Sequence, residues 1–266
     1  MFICQCFLPT LVMWLNGFIK NVIVCEHFKY ELYTPFICKF RNWIYKKTKQ
    51  VVTLTREDEV KYKKYMNRVS VIPNMSPFNV GDMANIKKKR IITVGRLSFQ
   101  KGYDLLLQSV HDLFDEFSDW SLDIYGDGEL LNTLLNQRDN LGLQHNVHFN
   151  GYSNNIKKEM LESSIFVMSS RFEGLPMVLL EAMSCGLPIV SFDCPEGPKT
   201  LLSDDVGLLI EAENINLLNS ALRNMMSSYD LRLKYQNKVK ERALLYTADN
   251  VVNKWKELFY YLGLEK

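Results

Sequence analysis

The stretch Ser169-Ser-Arg-Phe-Glu173-Gly-Leu-Pro176-Met-Val-Leu-Leu-Glu181-Ala-Met-Ser-Cys-Gly186-Leu-Pro188 decides how this chain reads. It joins two apolar runs of strand length, 165–169 and 189–192. Pro176 suits the first helical position, where no N–H is needed, and Gly186 suits the helix end. The segment between them is apolar nearly all round, so this helix is expected to be buried. Glu181 is its one charge. A buried, unpaired carboxylate is costly, so Glu181 needs donors, either a ligand's paired hydroxyls or a protein Arg. Glu173 stands just before the helix. There the amides of Gly174 and Leu175 are expected to face outward at the positive end of the helix dipole, a place for a phosphate or a developing negative charge. A glycosidase pair would flank one bond at about 5–10 Å. Glu173 and Glu181 fit better as holders of two parts of one elongated ligand.

Working outward, strands are expected at 91–94, 121–125, 147–149, 165–169, 189–192 and 207–210, with helices in most gaps. That alternation is the pattern of an α/β fold with a parallel sheet and right-handed crossovers. The chain ends in helices at 215–227, 230–245 and 249–262. Upstream, strands at 51–54 and 69–72 flank Thr55-Arg-Glu-Asp58, which resembles a capping box opening a helix. Residues 75–90 are polar, end in Lys87-Lys-Lys-Arg90, and read as a linker or surface hinge.

Residues 1–19 carry no charge, so a membrane span is one reading. Gln5, Pro9, Asn16 and Gly17 count against it, and no positive residue precedes the apolar run as in a signal peptide. The preferred reading is a buried helix followed by a core strand at 22–24, with the chain beginning inside a fold.

The 266 residues are 47% hydrophobic and 23% charged, which excludes wholesale disorder and allows one large or two small domains. Residues 1–90 hold 16 Lys or Arg against 6 Asp or Glu, and residues 91–266 hold 16 against 24. A uniformly basic nucleic-acid binder is therefore not expected, whereas a basic first third facing something anionic is. The six cysteines form no C-x-x-C pair and read as reduced, small apolar residues of a cytosolic protein. Cys4-x-Cys6 leaves a soft metal as an alternative. No D-x-D triplet occurs.

Ligands of open parallel sheets bind beyond the carboxyl ends of the strands. After 91–94 comes Gly95-Arg96-Leu-Ser-Phe-Gln-Lys101-Gly102, which lacks the Gly-Lys pair of a Walker A loop. Its Arg and Lys could clamp a diphosphate, or be two solvated cations on a turn. After 121–125 comes Gly126-Asp-Gly128-Glu129. This is either part of a dinucleotide fingerprint or a tight turn; Leu131 replaces the third Gly, which weakens the case for an NAD enzyme.

Glu173-x7-Glu181 resembles the E-x7-E motif of glycosyltransferase family 4, retaining enzymes of the GT-B fold. Gly95-Arg96…Lys101-Gly102, Gly126-Asp-Gly128, Phe149-Asn150-Gly151, Gly207-Leu-Leu and Ile72-Pro73-Asn74 fall in the family's order. The likeness covers about residues 20–262. Phe192-Asp-Cys-Pro-Glu-Gly-Pro198 is similar to a subgroup that builds bacterial surface polysaccharides. The resemblance implies a complete C-terminal Rossmann-like donor domain over 81–246 and a partial N-terminal one over 1–80. The helix of 247–266 would pack back on the latter.

It also implies roles. Arg96 and Lys101, beside Gly95, would hold the diphosphate of a nucleotide sugar, with UDP favoured. Glu181 would take the ribose hydroxyls. Glu173, with the backbone of Gly174, Leu175, Pro176 and Met177, would hold the donor sugar. Gly126, Gly128, Asn150 and Gly151 would line the base pocket. His27 matches a first-domain histidine near the donor sugar, and otherwise reads as a core residue. His111, His145 and His148 have only bland readings. No metal or other cofactor is implied.

The implied acceptor is a lipid-linked oligosaccharide at the inner face of a membrane. Lys39-Phe-Arg41-Asn-Trp43-Ile-Tyr45-Lys46-Lys47 mixes cations and aromatics on an expected helix. That composition suits an anionic membrane surface, or else a solvated face over a buried aromatic stripe. The family's first domain is longer than 1–80, so a truncated chain is implied. A catalytically incomplete nucleotide-sugar-binding remnant or partner subunit is the alternative to an enzyme.

Overall fold

Two all-parallel sheets carry the chain in a computed structural model that describes residues 1–27, 30, 33–195, 197–203 and 205–264. Glu196, within the 192–198 stretch quoted above, lies outside the described residues.

One compact unit comprises residues 1–74 and 249–266. Its sheet runs β1 (Phe2–Gln5), β2 (Val22–Glu26), β3 (Gln50–Thr53), β4 (Val69–Val71), each parallel to the next. The crossovers are α1 (Phe7–Leu15), α2 (Pro35–Tyr45) and α3 (Arg56–Lys63). Every residue of β2 and β3 is buried, as expected of strands covered on both faces. Thr55 caps α3 by accepting from the Asp58 amide at 3.1 Å, so the capping-box expectation holds at its N-cap. On one face Val22, Val24, Ile44, Tyr45, Val51 and Tyr62 form a core. On the other, α12 (Ala248–Tyr261) brings Val251 and Leu258 against Ile23, Cys25, Val52 and Ile72.

The expected buried helix over 1–19 is corrected. Residues 2–5 are a strand at the sheet's edge, and α1 buries only Phe7 and Thr10. An uncharged run of this length does not separate strand from helix, since β1 takes its ladder from β2, about twenty residues downstream. Among the described residues, no helix is long and apolar enough to cross a membrane.

The second unit comprises residues 75–248. Its strands are β5 (Arg90–Val94), β6 (Ser121–Tyr125), β7 (Val147–Gly151), β8 (Ile165–Met168), β9 (Ile189–Asp193) and β10 (Leu208–Glu211), in the spatial order β10-β9-β8-β5-β6-β7. The chain builds outward from β5 to β7, returns to place β8 on β5's other side, and builds outward again. Ile91 stands opposite Ile165 and Ile92 opposite Phe166 at that junction. The order reverses between β5 and β8, so the crevice at their carboxyl ends is the switch point where open α/β sheets bind ligands.

The crossovers α4 (Tyr103–Ser109), α6 (Leu131–Asn140), α7 (Ile156–Leu161), α8 (Met177–Ser184) and α9 (Pro198–Leu202) cover this sheet, with α5 (Leu113–Glu116) beside them. α10 (Ile215–Ser227) buries Leu218, Leu222, Met225 and Met226, and fully burying each such side chain contributes about 1.5–3 kcal/mol.

Residues 75–90 are not a free linker, which corrects the sequence expectation. Ala84 and Ile86 are buried, and the Ala84 amide donates to the Cys185 carbonyl at 2.7 Å. From α11 (Tyr229–Ala243), Arg232 donates to the Ile86 carbonyl at 3.0 Å and Gln236 to the Ala84 carbonyl at 2.9 Å. Polarity marked this segment as surface, whereas its backbone carbonyls are partners for two buried side chains.

Candidate donor-binding site

Three glycine-bearing loops meet at the carboxyl ends of β5, β6 and β8. The loop after β5 hydrogen-bonds the end of β6 and the loop that follows it, from Gly95 N–H to Tyr125 O at 2.9 Å and from Leu97 N–H to Asp127 O at 2.9 Å. Gly126, at φ +134°, lies so near the Gly95 carbonyl that a Cβ there would collide with it. Gly102, at φ +63°, approaches the Ser169 carbonyl in the same way. A Cβ on Gly128 would meet Leu97 backbone atoms, while Gly151 accepts from the Gly126 amide at 2.8 Å. The glycines therefore set the spacing between loops, a requirement that G-x-G spacing within one loop does not reveal.

Lys101 and Glu173 are brought together directly. Lys101 Nζ lies 2.7 Å from Glu173 Oε1, with side chains 20% and 8% exposed. Ser170 Oγ donates to the same carboxylate oxygen at 2.7 Å. Arg96 is not part of this cluster: its guanidinium, 74% exposed, pairs with Glu129 at 3.2 Å. It stands on the same loop as Lys101 with its charge turned to the Gly126 loop, so the expected two-cation clamp is not formed by the side chains as they stand.

Glu181 is half-buried within α8, and its carboxylate has no hydrogen bond or ion pair among the described residues. Of the two partners sequence reasoning left open, a protein Arg is not found among those residues. Desolvation alone pushes its carboxyl above the ordinary glutamate value. α8 closes as expected: Gly186 at φ +62° lets its own amide reach Met183 O at 2.9 Å and the Leu187 amide reach Ala182 O at 3.0 Å. Its start differs by one position. Pro176, with φ −70° and ψ 107°, is the N-cap and not the first helical residue. Met177 is exposed and Leu175 buried, and the Gly174 and Leu175 amides donate no hydrogen bond among the described residues.

Asn150 is held by its Nδ2 donating to Asp123 Oδ1 at 3.0 Å. His27 belongs to the other unit, next after β2. It is half-buried, and burial pushes its pKa below the ordinary imidazole value. All six cysteines are free, and burial pushes Cys185 and Cys194 up to about 12. Among the described residues, no three His, Cys, Asp or Glu side chains gather as a metal-ligand set.

Sequence reasoning gave no role to Arg171, Asp104 or Ser170. Arg171 donates to both Asp104 carboxylate oxygens, at 2.9 and 2.7 Å. Arg171 stands inside the stretch around the E-x7-E motif, but nothing local ties it to a carboxylate in α4.

A family model described as "Glycosyl transferases group 1" matches residues 82–242, more than half of the chain and the part that holds these loops. The chain belongs to that family. It is 29% identical over 252 residues to the amylovoran biosynthesis glycosyltransferase AmsD of Erwinia amylovora, covering 90% of this chain and 70% of that one. It is 35% identical over 190 residues to an N-acetylgalactosamine-N,N'-diacetylbacillosaminyl-diphospho-undecaprenol 4-alpha-N-acetylgalactosaminyltransferase of Campylobacter jejuni, covering 70% of this chain and 51% of that one. Among solved structures, a point mutant of S. aureus TarM in complex with fondaparinux, alpha-GlcNAc-glycerol and UDP matches with a TM-score of 0.80 at 22% identity, over 97% of this chain and 55% of that one. The lipopolysaccharide outer core galactosyltransferase WaaB matches with a TM-score of 0.76 at 19% identity, over 97% of this chain and 75% of that one. The two Rossmann-like sheets of this group 1 chain are those of the GT-B fold, as expected.

Proposed function

We propose that the chain is a retaining transferase of the family 4 type. It would move a hexose or N-acetylhexosamine from a nucleotide sugar, with UDP favoured, to a growing lipid-linked surface polysaccharide. The observation that carries this reading is Glu181, a half-buried carboxylate with no protein partner among the described residues. A vicinal diol such as a ribose supplies the two hydroxyl donors it lacks. Lys101, Glu173 and the amides before α8 sit at the switch point, where the diphosphate and the sugar of such a donor would lie.

In this reading Lys101 exchanges Glu173 for the donor diphosphate, and Arg96 swings from its exposed partner Glu129 to join it. Glu173 then holds the sugar with the backbone of residues 174–177. Asn150, Gly126, Gly128 and Gly151 border the base. The anomeric carbon–oxygen bond to phosphate breaks as the bond to the acceptor oxygen forms on the same face. The acceptor hydroxyl's proton passes to the leaving phosphate oxygen. The charge that develops on the diphosphate meets Lys101, Arg96 and a helix N-terminus, and each good donor contributes about 3–4 kcal/mol in such sites. The reading assigns this work to side chains and amides and to no metal.

The lipid-linked acceptor is taken from the undecaprenol named for the Campylobacter relative. A cytoplasmic location at the inner face of the membrane goes with it. Exposed Phe36, Phe40 and Trp43 on α2, with Lys47 Nζ 3.4 Å from the Trp43 ring centre, suit an anionic surface.

A second reading has its own observation. The chain spans 51–70% of the length of the two relatives named, and among the described residues the first sheet has four strands. A donor-binding partner subunit would bind nucleotide sugar without transferring it.

A thermal-shift panel of UDP-, GDP- and ADP-sugars tests donor binding, since a ligand of the folded state raises the melting temperature. Calorimetry on E181A then asks whether the shift depends on that carboxylate. Donor binding without transfer to, or hydrolysis in the presence of, lipid-linked acceptors selects the second reading. No shift with any nucleotide sugar removes both.

A further inference from the structure

Arg171 is the hub of the crevice between β5 and β8. Its guanidinium forks onto Asp104 at the start of α4, with contacts of 2.9 and 2.7 Å. The same group donates to Phe99 O at 2.8 Å, stacks 4.1 Å from the Phe99 ring centre, and reaches Glu213 beyond β10 at 3.3 Å. Its backbone amide donates to Gln100 O at 2.8 Å. Two neighbours stitch the same seam: Gln100 Nε2 donates to Phe172 O at 3.0 Å, and Ser169 Oγ donates to Lys101 O at 3.0 Å. The Arg171 side chain is only 10% exposed, so these are not loose surface pairs.

Lys101 and Glu173 flank this seam, two residues from Phe99 and two from Arg171. We propose that Arg171, through its fork to Asp104 and its grip on Phe99, is a positioning residue that fixes Lys101 against Glu173 and so presets the crevice for a donor diphosphate; the second part rests on the donor-binding reading above. Among the described residues the Arg171 side chain makes no hydrogen bond or ion pair with Lys101 or Glu173. It holds the two loops that carry them at one separation, as the glycine at 102 does from the backbone side. A guanidinium suits this task because its planar fork engages one carboxylate by two bonds while its remaining N–H groups reach a carbonyl and a second carboxylate.

The test uses the full chain without nucleotide. Acetylation by an N-hydroxysuccinimide ester is followed lysine by lysine by mass spectrometry in wild type, R171M, D104N and, as the benchmark for a broken pair, E173Q. R171M and D104N are expected to raise the labelling rate of Lys101 several-fold, toward that of E173Q, with Lys47 and Lys88 unchanged. Wild-type labelling of Lys101 in both variants overturns the proposal. So does a uniform rise at every lysine in both, which would make Arg171 a support of the fold and not of the site. Where R171M alone loses its fold, D104N decides. In calorimetry with the best nucleotide sugar, both variants should bind about tenfold more weakly than wild type, the scale of a modest misplacement of binding groups. Failure of wild type to bind any nucleotide sugar would remove the donor reading while leaving the labelling result to judge Arg171.

Discussion

Lys101 Nζ and Glu173 Oε1, 2.7 Å apart, join the loops that leave β5 and β8, the adjacent strands at which the second sheet reverses its order. Their separation of 72 positions in the chain is bridged only because β8 returns to β5's free side.

Breaking this pair from one side leaves a carboxylate that is 8% exposed with the Ser170 hydroxyl but no cation beside it. K101M is therefore expected to destabilise the chain by about 1–3 kcal/mol, less than a fully buried pair would lose because Lys101 keeps partial solvent access. K101M/E173Q should recover most of that loss. Urea denaturation of the two single variants and the double variant measures the coupling, and strict additivity would show that the pair does not bind the loops together.

Two carboxyls in this unit are shifted in opposite directions, and pH separates them. Desolvation holds Glu181 above the ordinary glutamate value, so its contribution to stability falls as pH rises from that ordinary value through its raised one. Asp104 is also desolvated, but the hydrogen bond and charge of Arg171 outweigh this and hold it below the ordinary aspartate value. Its contribution is present above the ordinary value and lost as pH falls through the lowered one. E181Q should accordingly raise the urea midpoint at pH 7 relative to pH 4, while D104N lowers it. A nucleotide sugar whose hydroxyls stabilise ionised Glu181 should release protons on binding in mildly acid buffer, read by calorimetry in buffers of different ionisation enthalpy.

Gly102 has φ +63° and its missing Cβ faces the Ser169 carbonyl. G102A combines backbone strain with a collision that no flexible side chain can relieve, and is expected to cost about 1–3 kcal/mol. Because the collision pushes the β5 and β8 loops apart, donor affinity should fall with it. Thermal unfolding and calorimetry on the same preparation test both, and a variant with wild-type stability would contradict the close approach.

Arg96 and Glu129 are exposed, and pairs of that kind contribute about 0–1 kcal/mol. E129Q should leave stability within about 0.5 kcal/mol of wild type. It should also strengthen nucleotide-sugar binding by removing the carboxylate that competes for Arg96. R96A should weaken binding at equal stability. Binding unchanged in both variants would take Arg96 out of the donor site.

The sequence by itself determined the alternation of strand and helix, the cap at Thr55, the Gly186 closure of α8, and the presence of charges in loops that follow strands. These signals act over a few residues: a cap, a period, a forbidden φ. Tertiary structure decided the rest. Residues 1–19 gave an apolar run, and only the ladder to β2 made its beginning a strand. Residues 75–90 looked like solvated linker until Arg232 and Gln236 claimed their carbonyls. That Lys101 meets Glu173, that Arg96 turns instead to Glu129, that Arg171 finds Asp104, and that Glu181 finds no protein partner among the described residues all follow from which strands lie side by side. Strand order is fixed by burial of both sheet faces over the whole unit, and no local pattern of residues encodes it.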